Sequence, residues 1–519
     1  VSAAGTESLS QRPVAADRTG GADASLRARV ERWAGLVPYG IVAYFLVQAL
    51  LRIAISGNLE IDEAEIARHG VYALGYGNSN PPLYDWVVVS LWKVTGSWPA
   101  ALALAKNGLL AAAYLLFFRC GRLLFGTRTG AATLALSLLL MPQIVWQAQI
   151  TLSHSTAAAA ACAALIAALA WLLDRQTTIR FAALGLALAA TLLSKYSALL
   201  LVIALVCAVL MVPEARKRLG QPRLLLSAAI AVLLAAPHYV WVLHNIETST
   251  ARLAKLTVRN PLWSRLDLPG LGIDGLLTSG QALAVSAGPL LIVWAAARWL
   301  ARREPDDAAP AALGTLYATL AGRGLIAGLA ILGIAVLATD THHVSDRYLA
   351  QFLMLLPVWL SLAYPLAFRP RAMRRFLATS LGLAAAVTLV WPQLALFGNH
   401  RFAYPYDAVA AEVVKAAGPD AAILMERGDY ATNIALRMPG GRFFDAASPA
   451  RTVAALWDAD EDRQATLTGI AGPCYRLDGP VRRIAAPFHY FSGNEARLAL
   501  AVLRFDPAAG CAAPASDQP

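Results

Sequence analysis

Ionisable and amide side chains recur in this chain beside long apolar runs, where each costs free energy unless it is paired or put to use. The densest group reads Asn58-Leu59-Glu60-Ile61-Asp62-Glu63-Ala64-Glu65, followed by Asn80-Pro81-Pro82-Leu83-Tyr84-Asp85-Trp86. Lys106 stands in the first turns of the next apolar run, His154 heads another, and Lys195-Tyr196 breaks a third. His238 and His244 close a further run, and His342, His343, Asp346 and Arg347 precede a late one. Carboxylates can take a proton from a hydroxyl, and lysine or arginine can neutralise a leaving phosphate. Gathered at the mouth of an apolar bundle, such groups suit a charged headgroup whose apolar tail lies among helices.

Each residue also has a plainer reading. Glu60 and Glu65 fit the solvated face of an amphipathic helix. Asp62 and Glu63 fit the positive end of a helix, and His154 an N-terminal cap region. Lys195 can reach the interface along its own stem. His342 and His343 lie near carboxylates but lack the spacing of a metal-ligand set.

The elements that must carry these residues are membrane helices. The chain has 519 residues, of which 58% are hydrophobic and only 15% charged, too few to wet the surface of a soluble protein of this length. Apolar runs near the ~20 residues that span a bilayer fall at 35–56, 100–118, 129–147, 156–173, 180–194, 197–213, 224–243, 281–299, 322–339, 349–367 and 377–396. About eleven transmembrane helices are therefore expected. The net charge of +11 sits mostly in short loops on one side of that scheme, such as Arg119 to Arg128, Arg216 to Arg223 and Arg369 to Arg375. Basic loops mark the cytoplasmic side, so the charge reports topology rather than nucleic-acid binding. The apolar stretch 82–97 is short and carries Asp85 and Lys93. It reads as an interfacial or re-entrant helix, with a true crossing, compensated around Lys195, as the alternative.

Three regions follow. Residues 1–34 read as a disordered cytoplasmic lead. Residues 35–397 form an all-α polytopic bundle whose first outer loop, 57–99, holds interfacial helices. Residues 398–519 form a small α/β domain on the outer face, with a helix near 407–417 and a strand near 421–425. Cys120, Cys162 and Cys207 lie in or beside apolar runs, while Cys474 and Cys511 share the tail. An oxidising compartment would allow those two to pair.

Several motifs together resemble a known family. Asp62-Glu63-Ala64 after a first span, Gly75-Tyr76, and Asn80-Pro81-Pro82-Leu83 with Trp86 are similar to the first outer loop of family 39 glycosyltransferases. They are also similar to the lipid A aminoarabinose and galacturonic acid transferases of the GT-C superfamily. The likeness continues through Arg122-Leu123-Leu124-Phe125-Gly126, Leu193-Ser194-Lys195-Tyr196, Pro237-His238 with Trp241, and Arg347-Tyr348, covering roughly residues 35–370.

The resemblance implies an inverting, inner-membrane transferase that takes a sugar from a polyprenyl or dolichyl phosphate and works outside the cytoplasm. Its acceptor would be a lipid, glycan or protein of the envelope. Asp62 matches the family's general base and Glu63 its neighbour, an orienting partner. Lys195 and, by position, Arg347 would hold the donor phosphate. Asn80, Asp85, Lys106, His154, Tyr196, His238 and His343 are the expected substrate-binding residues. No cofactor is called for, although the carboxylates are able to hold a divalent cation.

This chain departs from the family in having Asn80 for the usual histidine, His154 in place of a second carboxylate, and Lys106 for an arginine. A transporter or flippase of a lipid-linked sugar is the rival class, and a pseudoenzyme scaffold a second. Against the former, the chain shows no internal repeat and no phosphate-binding loop. Against the latter, it retains Asp62, Glu63 and Lys195.

Overall fold

The computed structural model describes residues 18–75, 80–250, 256–257, 273–302, 304, 310–398, 400–445 and 450–506. The lead is not disordered throughout: helix α1 (Arg18–Ala34) covers its second half. Val30 and Ala34 are buried against the bundle, and the Glu31 carboxylate accepts the backbone N–H groups of Arg128 (2.6 Å) and Thr129 (2.9 Å). That carboxylate satisfies donors that the helix Arg128–Leu136 leaves open at its first turn. Its partners lie almost a hundred residues away, which is why local composition suggested disorder.

Helix α2 (Val37–Ile55) is the first long apolar element, with a proline in its first turn. Two short helices follow, α3 (Ile61–His69) and α4 (Leu83–Thr95). At 13 residues α4 is too short to cross a bilayer, in keeping with an interfacial or re-entrant position. Helix α5 (Trp98–Phe125) starts at Ser97, whose hydroxyl accepts from the Ala100 N–H, and stops at Gly126, where φ is +72°. Such a φ favours glycine, so the helix ends there without strain.

Among the described residues, seven helices are long and apolar enough to cross a membrane, or nine if each of two sharply bent pairs is one span. The expected count of eleven is not reached. Span 180–194 falls on the 15-residue helix Thr178–Leu192. Span 349–367 is divided between Asp346–Leu353 and Leu355–Ala363. The bent pairs are Arg128–Leu140 with Gln143–Ile150 (75°) and Tyr196–Met211 with Pro213–Leu219 (105°). Pro142 and Pro213 stand at those breaks. A proline removes a backbone donor and crowds the preceding turn, so a helix readily bends there.

The tail folds as expected into an α/β unit. Helix Tyr406–Ala417 precedes strand β1 (Ala422–Leu424), and helix Gly428–Ala435 leads to β2 (Arg442–Phe443). After β3 (Thr452–Asp458) come helix Gln464–Ala471, β4 (Tyr475–Leu477), β5 (Arg482–Pro487) and β6 (Glu495–Phe505). The strand order is β2-β1-β3-β6-β4, with β5 also on β6, and β1 runs parallel to both β2 and β3. One face of the sheet packs on Tyr406, Val409 and Ile434, the other on Leu467 and Ala471. Cys474 is disulfide-bonded; its expected partner, Cys511, lies outside the described residues.

Candidate active site

Helix α3 presents the acidic pair, and its local sequence explains how. Glu60 is the N-cap and Glu63 the third helical residue, and together they form a capping box. Each side chain meets a backbone donor that the first turn would otherwise leave open. Adjacent helical residues are rotated by about 100°, so Asp62 and Glu63 face different surroundings.

Asp62 faces a cavity of about 550 Å³. Its Oδ2 lies 3.5 Å from the Ser153 backbone nitrogen, where helix His154–Asp174 begins. Asn80, His154, Lys195, Tyr196 and Arg347 line the same cavity. Six residues expected from sequence to handle substrate, drawn from distant parts of the chain, thus share one space. Its remaining wall is largely apolar, with Leu200, Leu332, Ala335, Val336 and Leu349.

The cations of this cavity meet a hydroxyl and an aromatic ring. Lys195 Nζ donates to Ser155 Oγ at 2.7 Å. The Lys195 ammonium and the Arg347 guanidinium lie 5.8 and 5.4 Å from the centroid of the Tyr348 ring. The buried Arg347 Nε has no hydrogen-bond acceptor among the described residues. His154 Nε2 approaches the fully buried Asp85 at 3.7 Å, so Asp85 backs the imidazole from behind the cavity wall. His238 also acts from behind. Its Nδ1 lies 2.6 Å from the Leu74 carbonyl oxygen, which can only accept, so Nδ1 carries the proton and Nε2 accepts from Tyr196 Oη at 3.2 Å.

Glu63, Lys106 and His343 are not brought to the cavity wall. Glu63 is 1% exposed and turned into the bundle, with Oε2 2.7 Å from Arg52 Nη2 and Oε1 3.2 Å from Lys106 Nζ. Burial alone would raise its carboxyl. The Arg52 and Lys106 charges and a hydrogen bond from Arg52 outweigh that and hold it at about 2. The expected orienting partner of Asp62 and the expected substrate-binding lysine are thus joined in a structural ion cluster. The backbone N–H groups of His342 and His343 both donate to the Leu256 carbonyl. The His342 side chain pairs with Asp274 at 2.8 Å.

Arg52 was missed in the sequence; its signal was a charge in the last turn of an otherwise apolar span. Glu60 was misread as solvated. It is 1% exposed, with its Oε1 3.2 Å from His400 Nε2. Burial pushes the Glu60 carboxyl up, and it pushes the His400 imidazole down to about 4 with help from Arg401 and Arg52.

The loop before α3 is also held by the sheet domain. Asn433 Oδ1 accepts the Leu59 N–H (2.8 Å), and Asn433 Nδ2 donates to the Leu59 carbonyl (3.0 Å). Asn58 Nδ2 donates to the carbonyls of Arg401, Phe402 and Tyr404, while Arg437 donates to Asn58 Oδ1. No group of three or more His, Cys, Asp or Glu side chains able to hold a metal ion occurs among the described residues.

Comparisons with known proteins bear on the family and the fold. Residues 79–241 match the family model described as dolichyl-phosphate-mannose-protein mannosyltransferase, a stretch that includes Asn80, Asp85, Lys106, His154, Lys195, Tyr196 and His238. The chain is 31% identical over 333 residues to lipopolysaccharide core galacturonosyltransferase RgtA of Rhizobium johnstonii, covering 64% of this chain and 64% of that relative's length. It is 29% identical over 423 residues to the galacturonosyltransferase RgtB of the same organism, covering 79% and 82%. The crystal structure of ArnT from Cupriavidus metallidurans bound to undecaprenyl phosphate has a TM-score of 0.53 at 14% identity, covering 90% of this chain and 98% of that one. At that identity the likeness is one of fold. With its multiple apolar spans, the chain is a multi-pass membrane protein whose residues 79–241 match the dolichyl-phosphate-mannose-protein mannosyltransferase model.

Proposed function

We propose that this chain is an inverting glycosyltransferase of the bacterial inner membrane. It moves a sugar, galacturonic acid by analogy with its relatives, from a polyprenyl phosphate to a lipid or glycan acceptor on the periplasmic side. The observation that carries the reading is the shared cavity: the Asp62 carboxylate and the Lys195 and Arg347 cations face one space with an apolar wall. That set answers the three needs of transfer from a lipid phosphate: a base, a phosphate clamp and a groove for the prenyl chain.

In the proposed step the acceptor hydroxyl loses its proton to Asp62 as its oxygen attacks the anomeric carbon. The bond from that carbon to the phosphate oxygen breaks, and its electron pair leaves with the phosphate. Lys195 and Arg347 then meet a growing negative charge, and the unsatisfied Arg347 Nε gains an acceptor. One displacement inverts the anomeric centre without a covalent enzyme intermediate. His154, backed by Asp85, and Tyr196, fixed by His238, border the space where the sugar would lie. No cofactor is needed for this route.

The test is product analysis. Envelope lipids and glycans are compared by mass spectrometry among a deletion strain and strains carrying wild-type or Asp62→Asn protein. One missing sugar mass, restored by wild type only, is expected. Equal rescue by the Asp62→Asn protein at equal membrane abundance would remove Asp62 from the chemistry, and an unchanged profile would favour transport.

A further inference from the structure

The sheet domain has a second cavity, of about 430 Å³, that the proposed chemistry does not use. Its place in the topology is informative. From β1 the chain moves to β2 on one side and then to β3 on the other. The helix after β1, Gly428–Ala435, packs on one face of the sheet and the helix after β3, Gln464–Ala471, on the opposite face. The carboxyl ends of β1 and β3 therefore border a topological switch point, where open α/β sheets form a crevice suited to ligands. The cavity lies at that edge, lined by Met425, Glu426 and Arg427 after β1 and by Trp457, Asp458, Asp460 and Glu461 at and beyond the end of β3.

Its chemistry is layered. Tyr404 (6% exposed) and Leu456 (buried) lie at the floor with the half-buried Tyr430 and Phe488. Tyr404 meets the rings of Tyr430 and Phe488 edge-on at 4.6 and 5.1 Å. Above them stands an exposed charged rim that includes Glu426, Arg427, Asp460 and Arg497. The Arg427 guanidinium is laid over the Tyr430 ring at 3.7 Å, and Arg463 reaches Glu461 at 2.8 Å and Glu426 at 3.7 Å. An aromatic floor beneath a ring of carboxylates and guanidiniums matches a sugar, which has an apolar C–H face and hydroxyls around its edge. Carboxylates accept from hydroxyls, and guanidiniums donate to them. Among the lining residues carboxylates outnumber guanidiniums five to three, which disfavours phosphate or uronate and favours an uncharged saccharide. The volume falls in the range of organic-ligand sites, about 300–1,000 Å³, rather than that of an ion.

We propose that this cleft binds a neutral oligosaccharide segment of the acceptor, an inference that rests on the glycosyltransferase reading for its biological meaning but not for its test. Full-length protein in detergent is probed with maltotriose, chitotriose and trigalacturonic acid by saturation-transfer NMR, which needs no turnover. At least one neutral trimer is expected to receive saturation through its C–H protons. Arg427→Ala and Asp460→Ala, both rim changes, should each weaken that binding about tenfold (~1.4 kcal/mol). Asp62→Asn should leave it intact. Absence of signal from both neutral trimers, preference for the acidic trimer, or unaltered binding in both rim variants overturns the proposal. Binding that persists in a protein shown to transfer no sugar would retain the cleft and discard the transferase reading instead.

Discussion

Replacing Glu63 by glutamine leaves Arg52 and Lys106 buried without the carboxylate they pair with, and the structure sets the size of the consequence. Both cations lie within 3.2 Å of the carboxylate, and the Arg52, Glu63 and Lys106 side chains are 4%, 1% and 3% exposed. Breaking a buried ion pair from one side costs about 3–5 kcal/mol, because the remaining charge cannot return to water. The depressed carboxyl of Glu63 reflects the same two charges. Held at about 2, it lies roughly two units below an ordinary glutamate, equivalent to ~3 kcal/mol at neutral pH. The sign follows from the depressed folded value: this contribution is complete above about pH 4.5 and is lost as pH falls towards about 2.

The assay is thermal unfolding in detergent followed by circular dichroism, at neutral pH and at pH 4, for wild type, Glu63→Gln, Lys106→Met and the double variant. Glu63→Gln is expected to melt well below wild type at neutral pH, and the gap should narrow at pH 4. The double variant should melt above Glu63→Gln, because removing Lys106 relieves one stranded cation. A wild-type melting temperature for Glu63→Gln would refute the reasoning. So would a normal melting temperature combined with a collapse of turnover, which would return Glu63 to the chemistry.

The other expectations concern the two walls of the cavity and the grip on α3. Arg347→Ala and Lys195→Ala should each lower transfer by about two orders of magnitude or more, in the range of a lost transition-state donor, read as kcat/KM with a defined lipid-phosphate donor; retention of full activity would place the phosphate elsewhere. Arg347→Lys should recover only part of the loss, since lysine offers a point charge in place of a planar fork. Asn433→Ala removes both hydrogen bonds to the Leu59 backbone, which should cost about 1–3 kcal/mol as buried groups are left unpaired. Its turnover should fall further than its donor affinity, and equal loss of both would point to general unfolding.

How much of this was legible varied with the range of the interaction that decided it. Asp62, Lys195 and Arg347 stood out because a charge beside an apolar run is rarely idle, and all three do line one cavity. The sheet domain was readable from its helix and strand composition. Glu60 looked like a surface residue because its partner, His400, lies in the segment that enters the sheet domain. Glu63 looked catalytic because it adjoins Asp62 in sequence, whereas helical geometry turns neighbours apart and Arg52 and Lys106 claim it. Eleven spans are expected where the described residues give seven to nine, because 180–194 is a 15-residue helix and 349–367 is divided at Met354. Pro142 and Pro213 mark two sharp bends, each within one expected span.

The acidic helix is held by groups of three origins, and that arrangement gives the sheet domain a reason to exist beyond any ligand of its own. Glu63 ties α3 to α2 and α5 through Arg52 and Lys106. Asn433 ties its entry loop to the sheet domain through Leu59, and Ser153 meets Asp62 from the helix that carries His154. A nine-residue helix has little stability of its own, so the position of Asp62 is decided by these contacts rather than by α3 itself. A base must lie within hydrogen-bond reach of the proton it takes, and displacement by even 1 Å can cost about a hundredfold in rate. The buried cluster on one side and the amide clamp on the other restrict that displacement. The charged pair that first drew notice in the sequence thus divides its labour: one carboxylate faces the cavity, and its neighbour fixes the helix that presents it.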